Sequence, residues 1–416
     1  MSRIGIFFPR AILDTVPSLV GAAELLAGRG HDVDIFTCTA AGQPPVHFAS
    51  DRIRVRSLGI EGLADQTTAG LRGVVRRAGW LPRAARAPLA RGYAALGAGL
   101  AHGSRLLASA RTRTRGATFD FVIGVDADGL ELAAAMGGGA PMAYYSLELL
   151  LSEELTTPAE RRLKEHERAL SQRAMVTIVQ DEARARLLAE DNDLDWQRVV
   201  LVPNAPLGPA RRQRACFWHE RFGLAQDRRV VLHAGSLGDW TGIGDLVASV
   251  PSWPEPWLLV VHTRYDGESS PYVERLRSRA CERVLFSLKP VARQDYDTLI
   301  DSADVGLAFY VPSYDSAYTQ RNVQTIGLSS GKLAYYLRAG LPVVVNRAAS
   351  IGSALEEAGC GLAVEDAGQV GHALACIGGH YADFSLAALR FFDEHLDFVH
   401  AFDGVIDRIE ALAVRA

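Results

Sequence analysis

The chain has 416 residues, of which 48% are hydrophobic and 22% are charged, and its formal net charge is -4 at pH 7. A globular composition of this length predicts two domains and excludes a chain that is mostly disordered. The small negative charge excludes a general attraction to nucleic acid, and the lack of any apolar stretch of about 18–20 residues argues against a membrane-spanning helix.

The first half of the chain alternates predicted strands and helices, as a parallel sheet requires. Ile4–Phe8 is a continuous apolar run, which is typical of a strand buried on both faces. Leu19–Ala27 has the apolar spacing of a helix and is followed by Gly28, and Val33–Thr37 predicts the next strand. Further runs predict strands at Val46–Val55, Phe119–Val125, Met142–Ser146 and Met175–Gln180, and a charged helix at Pro158–Gln172.

A second series of strands and helices follows a predicted linker. The prolines at Pro203 and Pro206 and the basic run Arg211–Arg214 are typical of a boundary between domains. The two series together predict two doubly wound α/β domains. The second series predicts strands at Arg229–His233, Trp257–His262, Arg283–Ser287, Val305–Tyr310 and Leu341–Asn346, helices at Gln294–Ser302 and Lys332–Arg338, and a helical tail from Phe384 to Ala416.

The cysteines and the N-terminus bear on the cellular compartment. The five cysteines are widely scattered, without a CxxC pair or a neighbouring Cys/His cluster, which favours reduced thiols over disulfides or a zinc site. The apolar run that begins at Ile4 is too short for a signal peptide. We therefore expect a cytoplasmic protein that needs no metal, and the Ala- and Arg-rich composition is typical of bacteria with GC-rich genomes.

The segment with the most chemistry runs from Ile326 to Asn346. Ser329 or Ser330 can cap a helix there, which leaves backbone N–H groups and the positive end of the helix dipole at its start. Gly331 lets an anion approach the backbone, and Lys332 adds a full positive charge. This pattern predicts a phosphate or diphosphate site, although an ordinary capped helix with a solvated lysine would have the same pattern.

Two better-known phosphate motifs are excluded by spacing. A Walker A motif requires a glycine at the position of Ile326 and a serine or threonine at the position of Leu333. No GxGxxG sequence follows the first predicted strand, so a dinucleotide-binding site is not supported.

Other predicted strand ends offer further candidates for the same anion site. Gly235, Ser236 and Gly238 follow a strand, and the two glycines allow a tight turn and a close approach to a ligand. Arg264 and Lys289 each follow a strand, so they would face the same cleft. A plain βα turn and solvated basic side chains would also fit this spacing.

In this order, several segments resemble motifs of the GT-B glycosyltransferases, especially the broad family-four-like group that uses sugar nucleotides. The likeness covers nearly the whole chain, and its specificity comes from the ordered set of motifs. The segments are Leu19–Val33 (a first helix and an "rGHeV" turn), Phe119–Leu130, Val202–Ala205 ("vPN"), His233–Gly242 ("hxGslxxxkG"), Asp301–Leu307 ("xxaDvgl") and Lys332–Val344 ("KlxEyxaaGxPVv").

The resemblance implies two Rossmann-like domains with a cleft between them. An acceptor-binding domain would comprise residues 1–205, completed by a C-terminal helix at about 395–416, and residues 206–394 would bind the nucleotide sugar. The substrate would be a UDP-, TDP- or GDP-sugar, with no cofactor. The acceptor would be a small molecule, a glycan or a lipid-linked glycan.

This sequence departs from the family pattern at the donor site. Two glutamates eight residues apart often flank the loop in the family, and Gly327 and Tyr335 stand at those positions. Thr241 replaces a lysine that often precedes the glycine of the "kG" turn, and Asp126 stands about where the family often has a histidine. Tyr335 either contacts the ribose through its hydroxyl or is a core aromatic residue.

Acidic residues near the predicted cleft are candidates for the acceptor side. Asp126 follows a buried strand at its carboxyl end, and it is our candidate catalytic residue, with Asp128, Glu148 and Asp14 as further candidates. In a retaining enzyme, which the resemblance favours, Asp126 would position hydroxyl groups rather than act as a base. The alternative is that these acidic residues only cap the starts of helices. Asn322 could bind a donor sugar hydroxyl, although loop asparagines often form turns.

A basic tract lies within the predicted acceptor domain. No acidic residue occurs between Asp65 and Asp120, while arginines recur from Arg72 to Arg115 among apolar residues. A basic amphipathic stretch of this kind can lie on an anionic membrane surface, so residues 71–115 predict peripheral contact with the inner face of the membrane. A solvated arginine face and a wall for an acidic acceptor are the alternatives.

Two other functions fit the same predicted fold. A GT-B sugar-nucleotide epimerase would need buried acid/base carboxylates in the nucleotide half, and none is evident. A non-catalytic GT-B-like binding partner would explain the missing glutamates but would not need the Ser-Ser-Gly-Lys anion site at residues 329–332. The sequence therefore favours a sugar-nucleotide-dependent glycosyltransferase.

Overall fold

Two parallel β-sheets, one in each half of the chain, form the framework. The computed structural model describes residues 1–39, 46–60, 106–263, 267–268, 270–313, 316–347 and 350–413. The first sheet is built from the continuous apolar runs of the N-terminal half, which are buried on both faces. Its strands are β1 (Arg3–Phe8), β2 (Asp32–Thr39), β3 (Ile53–Ile60), β4 (Phe121–Val125), β5 (Met142–Tyr145), β6 (Val176–Val179) and β7 (Val199–Leu201).

The first sheet has the order β3-β2-β1-β4-β5-β6-β7, and all its strands are parallel. The strand order reverses between β1 and β4, where Ile6 pairs with Ile123. The carboxyl ends at such a switch point form a crevice in which open α/β sheets bind ligands. The predicted strand at Val46–Val55 is wrong in position, because β3 begins at Ile53 as an edge strand whose residues are a mixture of buried, half-buried and exposed positions.

The second sheet repeats this design in the C-terminal half. Its order is β10-β9-β8-β11-β12-β13, again parallel, with the switch between β8 and β11. The predicted pair of doubly wound α/β domains is therefore confirmed. The strands are β8 (Arg229–Ala234), β9 (Trp257–His262), β10 (Val284–Ser287), β11 (Val305–Ala308), β12 (Val343–Asn346) and β13 (Gly361–Val364).

Helices connect the strands and cover both sheets. The charged helix between β5 and β6 starts at Pro158, as predicted. Just before it, Thr157 and Glu160 form a reciprocal capping box. Residues 106–113 are also helical. The other α-helices, with this one, are α1 (Pro17–Gly28), α2 (Asp126–Met136), α3 (Pro158–Ser171), α4 (Glu182–Asn192), α5 (Phe217–Phe222), α6 (Ile243–Ser249), α7 (Pro271–Arg277), α8 (Tyr296–Asp301), α9 (Arg321–Gln324), α10 (Gly331–Arg338), α11 (Gly352–Glu357), α12 (Val370–Gly379), α13 (Tyr381–His395) and α14 (Phe398–Ala413).

The last helix, α14, lies against the N-terminal domain. Phe402 and Val405 are buried, and Asp403 forms an ion pair with Arg29 at 2.9 Å. The Arg408 guanidinium donates a hydrogen bond to the Gln197 carbonyl at 3.3 Å. These contacts agree with a tail that completes the N-terminal domain, while the residue boundaries of the domains stay a prediction.

The largest hydrophobic cluster contains residues from both domains, including α1, β8 and α10. The two domains therefore meet through packed side chains as well as through the linker. Within the described part of the chain, no helix combines the length and apolarity needed to cross a membrane.

Candidate functional site

The start of α10 is the segment for which the sequence predicts anion binding. Ser330 caps this helix, because its Oγ accepts a hydrogen bond from the Leu333 N–H at 3.3 Å. The Tyr310 hydroxyl also hydrogen-bonds to the Ser330 Oγ. Ser329 ends a short 3-10 turn that begins at Gly327. The capping serine is therefore Ser330, and it marks the end of α10 at which the helix dipole is positive.

Lys332 and the loop after β8 come together in space. The Lys332 side chain is largely enclosed, with 8% of the residue exposed, and its Nζ lies 5.1 Å from the centre of the Tyr310 ring. A Cβ atom placed on Gly235 would lie 3.6 Å from Lys332 Cε and 3.9 Å from its Nζ. Gly235 has a φ of +150°, a backbone conformation that residues other than glycine rarely adopt. We call Gly235, Tyr310, Ser330 and Lys332 the anion cradle.

His233 lies beneath the cradle and was not predicted. It is fully buried at the end of β8, and its Nε2 is 3.3 Å from the Ser236 carbonyl oxygen. Burial and the positive charge of Lys332 lower the pKa of His233 to about 3. The imidazole is therefore neutral at physiological pH, and Lys332 supplies the positive charge beside it.

The remaining donor candidates on the strand ends lie in different surroundings. Gly238 has an extended backbone, and a Cβ there would approach the Trp240 ring at 3.0 Å. Lys289 is exposed after β10, which is the edge strand of its sheet. Arg264 lies outside the described residues. The geometry therefore joins Gly235 to Lys332, and the contribution of Lys289 and Arg264 to the donor site stays a prediction.

Gly327 is positioned by the N-terminal domain. Its φ of +38° is left-handed, and a Cβ there would overlap the Asp181 carboxylate. The Asp181 Oδ2 accepts a hydrogen bond from the Leu328 N–H at 3.1 Å. The resemblance leads one to expect a glutamate at position 327. The chain has a glycine there, and the carboxylate of Asp181 from the N-terminal domain lies beside it.

Tyr335 borders a cavity of about 920 Å³ between the two domains. Its ring packs edge to face against Tyr296, with ring centres 4.8 Å apart, and it is partly buried. Asp14 lines the same cavity from the N-terminal domain. Tyr335 is therefore a packed aromatic residue that also borders an open space, and its contact with a ribose stays a prediction. We call this space the interdomain cavity.

Asp126 begins α2 in a left-handed conformation, with a φ of +56°. Its Oδ1 accepts hydrogen bonds from the N–H groups of Leu147 at 2.9 Å and Glu148 at 2.8 Å. Its Oδ2 lies 3.6 Å from Arg10 Nε. Burial raises the pKa of Asp126 to about 6, the Arg10 charge opposes that rise, and Glu148 adds to it. Oδ1 is therefore hydrogen-bonded, whereas Oδ2 is buried with an ion pair and without a hydrogen-bond donor.

The neighbours of Asp126 connect it to the C-terminal domain. The Arg10 guanidinium lies 5.6 Å from the centre of the Tyr318 ring. Burial opposes the charge on Arg10, but Asp126, Tyr318, Asp128 and Glu148 raise its pKa. Asp128 is partly buried in the first turn of α2. The predicted acceptor-side acids Asp126, Asp128 and Glu148 therefore lie in one electrostatic cluster with Arg10.

Asn322 is engaged by the other domain. Its Oδ1 accepts hydrogen bonds from the Leu149 N–H at 2.9 Å and from Arg184 Nη2 at 2.7 Å, and its amide donates to the Glu148 carboxylate. The residue is buried, with 3% exposed. These contacts hold the domains together, and binding of a sugar hydroxyl by Asn322 stays a prediction.

Arg184, like His233, was not among the site residues predicted from the sequence. It is fully buried on α4 and donates hydrogen bonds to the Leu147 carbonyl at 2.8 Å, the Asn322 carbonyl at 3.2 Å and Gln180 Oε1 at 3.0 Å. Burial lowers its pKa, while Glu148 and Asp181 oppose that effect. We call Arg184, Asn322 and Glu148 the interdomain arginine network. Its long-range contacts have no local signature in the sequence.

Two further predictions concern metals and the basic tract. Among the residues with described positions, no group of three His, Cys, Asp or Glu side chains could hold a metal ion. Of the basic tract at 71–115, only residues 106–115 are described, and Arg111, Arg113 and Arg115 are exposed there. Metal independence and membrane contact both stay predictions.

The comparisons with known proteins concern the whole chain. No protein-family model and no curated protein sequence matches it. Among solved structures, sucrose-phosphate synthase from Thermosynechococcus elongatus is 15% identical, covers 100% of both chains and has a TM-score of 0.66. HepE from Anabaena, in complex with UDP-glucose, is 12% identical over 99% of this chain and 100% of its own, with a TM-score of 0.64.

A third similar structure is WaaG, described as a glycosyltransferase involved in lipopolysaccharide biosynthesis. It is 15% identical, covers 98% of this chain and 99% of its own, and has a TM-score of 0.60. These neighbours are GT-B glycosyltransferases, and likeness at such low identity is evidence about the fold. With two parallel sheets of seven and six strands and a cavity between them, the chain has the GT-B fold.

Proposed function

We propose that this protein is a glycosyltransferase that moves a sugar from a nucleotide diphosphate sugar to an acceptor hydroxyl, with retention of configuration. The observation that carries the proposal is the anion cradle, in which the Gly235 loop and the start of α10 converge on Lys332. The cradle lies at the carboxyl ends of a doubly wound sheet, where such folds bind ligands.

The cradle has the chemistry that a leaving diphosphate needs. In glycosyl transfer, negative charge builds on the diphosphate as the glycosidic bond breaks, and fixed donors and cations stabilise that charge. Lys332 is mostly shielded from water, so its charge acts through a lower effective dielectric than that of a surface lysine. The absence of a Cβ at Gly235 leaves room for an anion beside the ammonium group.

The interdomain cavity supports a two-domain active site. Its volume of about 920 Å³ lies within the usual range for small-molecule sites, and both domains line it. Tyr335 lies one helical turn beyond Lys332, so a nucleoside in this cavity could extend its diphosphate toward the cradle. The similar structure HepE is known in complex with UDP and with UDP-glucose, so UDP-sugars are the first donors to test.

The surroundings of Asp126 favour retention over inversion. An enzymic base needs a carboxylate oxygen within reach of the acceptor hydroxyl. Asp126 is only 2% exposed; its Oδ1 accepts two backbone N–H groups, and its buried Oδ2 has the Arg10 ion pair at 3.6 Å but no hydrogen-bond donor. Because its carboxylate is enclosed by the protein, Asp126 is better suited to hold Arg10 and the Leu147–Glu148 loop in position than to reach an acceptor hydroxyl and remove its proton.

Calorimetry with UDP, GDP and TDP tests the donor site. We expect at least one of these nucleotides to bind the wild type, and Lys332→Ala to weaken that binding about tenfold to a hundredfold, because a shielded charge-assisted contact is lost. Lys289→Ala removes the same charge from an exposed position and should have a smaller effect. If no nucleotide diphosphate binds the wild type, the proposal fails.

A non-catalytic sugar-nucleotide-binding protein is the second candidate, because Gly327 and Tyr335 stand where the resemblance leads one to expect glutamates. A donor screen that detects free nucleotide diphosphate separates the two. Release that depends on an acceptor supports the transferase, whereas tight donor binding without any release supports the binding protein.

We further propose a cytoplasmic location with peripheral contact to the inner face of the membrane, based on the arginines at 71–115. Co-sedimentation with anionic vesicles at low salt is the test. We expect pelleting that declines as salt rises, because screening weakens the attraction of surface arginines to lipid head groups. Neutral vesicles serve as the control, and a protein that stays in the supernatant with anionic vesicles at low salt would contradict this idea.

A further inference from the structure

The C-terminal domain has a second cavity, of about 810 Å³. It lies at the amino ends of the strands of this domain, opposite the ends that carry the cradle. Its walls include Arg229 and Trp257, which are the first residues of β8 and β9 and are paired across the sheet. The cradle lies at the carboxyl ends of these same parallel strands. A ligand in this cavity would therefore not compete for the anion cradle. We call it the distal cavity.

Arg229 is the central cation of the distal cavity. Its guanidinium carbon lies 5.3 Å from the centre of the Trp257 ring and 5.9 Å from that of Tyr381. Gly378 on α12 leaves space beside it, since a Cβ there would lie 3.7 Å from Arg229 Nη1. The two aromatic rings hold the guanidinium in place by cation–π attraction.

The donors of Arg229 are not engaged by the described part of the protein. Within those residues no carboxylate lies within 4 Å of its guanidinium, and its side chain donates no hydrogen bond to a protein acceptor. An arginine stays charged and offers five N–H donors in one plane. Such a group, held between aromatic rings at a cavity wall, is suited to an oxyanion from solution.

Two further arginines line the cavity, and they have protein partners. Arg214 lies 3.6 Å from Asp304, whose other carboxylate oxygen accepts the Val230 N–H at 2.9 Å. Arg228 forms an ion pair with Glu255. Each of these two pairs is close to neutral, so neither cancels the charge of Arg229 or adds to it, and Asp227 is a further carboxylate on the wall.

We propose that the distal cavity binds a small organic phosphate, with its phosphate on Arg229. A phosphate presents several oxygens that match the planar donors of a guanidinium, and Arg229 is the arginine of this wall whose donors are not engaged by the described residues. The organic part lies against the partly exposed Tyr381 and the apolar surface beside it. The site is separate from the anion cradle and does not depend on the proposed transferase activity.

The experiment measures binding of inorganic phosphate and of phenyl phosphate by calorimetry at constant ionic strength. The wild type is expected to bind both, with phenyl phosphate tighter because its ring contacts the aromatic wall. Arg229→Ala should weaken both at least tenfold. Lys332→Ala should retain this binding, since it alters only the cradle.

Two variants keep the test decisive. Arg186→Ala removes the same charge from an exposed ion pair on α4 and should bind like the wild type. Arg229→Lys keeps the charge but loses the planar donors, so it should recover only part of the affinity. The proposal would be overturned if Arg229→Ala bound like the wild type, if Lys332→Ala lost all binding, or if the wild type bound neither phosphate. Circular dichroism confirms that each variant is folded.

Discussion

Replacing Arg184 by leucine is expected to lower the free energy of unfolding by about 3–5 kcal/mol. The substitution removes the buried guanidinium that joins Leu147 and Gln180 of the N-terminal domain to Asn322 of the C-terminal domain. It leaves those acceptors buried without their donor, and each unsatisfied group costs about 1–3 kcal/mol. Urea denaturation of wild type and variant, followed by circular dichroism, measures the change.

The matched control is Arg186→Leu, two residues along the same helix. Arg186 is exposed and pairs with Glu182 at the surface, where such ion pairs contribute about 0–1 kcal/mol. We also expect calorimetric unfolding of Arg184→Leu to separate into two transitions, because the network that couples the domains is lost. Equal stability of the two variants, with a single transition in both, would show that Arg184 does not hold the domains together.

Replacing Asp126 by asparagine is expected to lower the rate of sugar transfer about a hundredfold to a thousandfold while leaving affinity for the nucleotide diphosphate unchanged. Asparagine keeps an oxygen for the N–H groups of Leu147 and Glu148. It removes the negative charge that faces Arg10 and turns an amide toward that guanidinium. The rate should therefore fall because Arg10 is no longer held, although the fold persists.

The pH dependence of the rate gives an independent readout of this role. The pKa of Asp126 is raised to about 6, so its carboxyl group is protonated below that pH and ionised above it. Activity of the wild type should rise with pH through about 6, and this rise should be missing in Asp126→Asn. A variant that is as active as the wild type, or one that keeps the same rise with pH, would exclude Asp126 from the site.

Local patterns account for most of the fold that could be predicted. Strands buried on both faces must be apolar throughout, so runs such as Ile4–Phe8 and Trp257–His262 are visible without any tertiary information. Helix starts also depend on nearby residues, as with Pro158 on α3 and Ser330 on α10. The edge strand β3 was placed too early because edge strands are half exposed and lack a continuous apolar run.

By itself, the sequence determined the two doubly wound domains and the helix start that carries Ser330 and Lys332. Each of these depends on residues within about one turn or one strand of each other. Only the tertiary structure decided that Gly235 lies beside Lys332, that Asp181 lies where a glutamate was expected, and that Asn322 faces Arg184. Such contacts join residues far apart in the chain, and the packing of one domain against the other, which has no local pattern, brings them together.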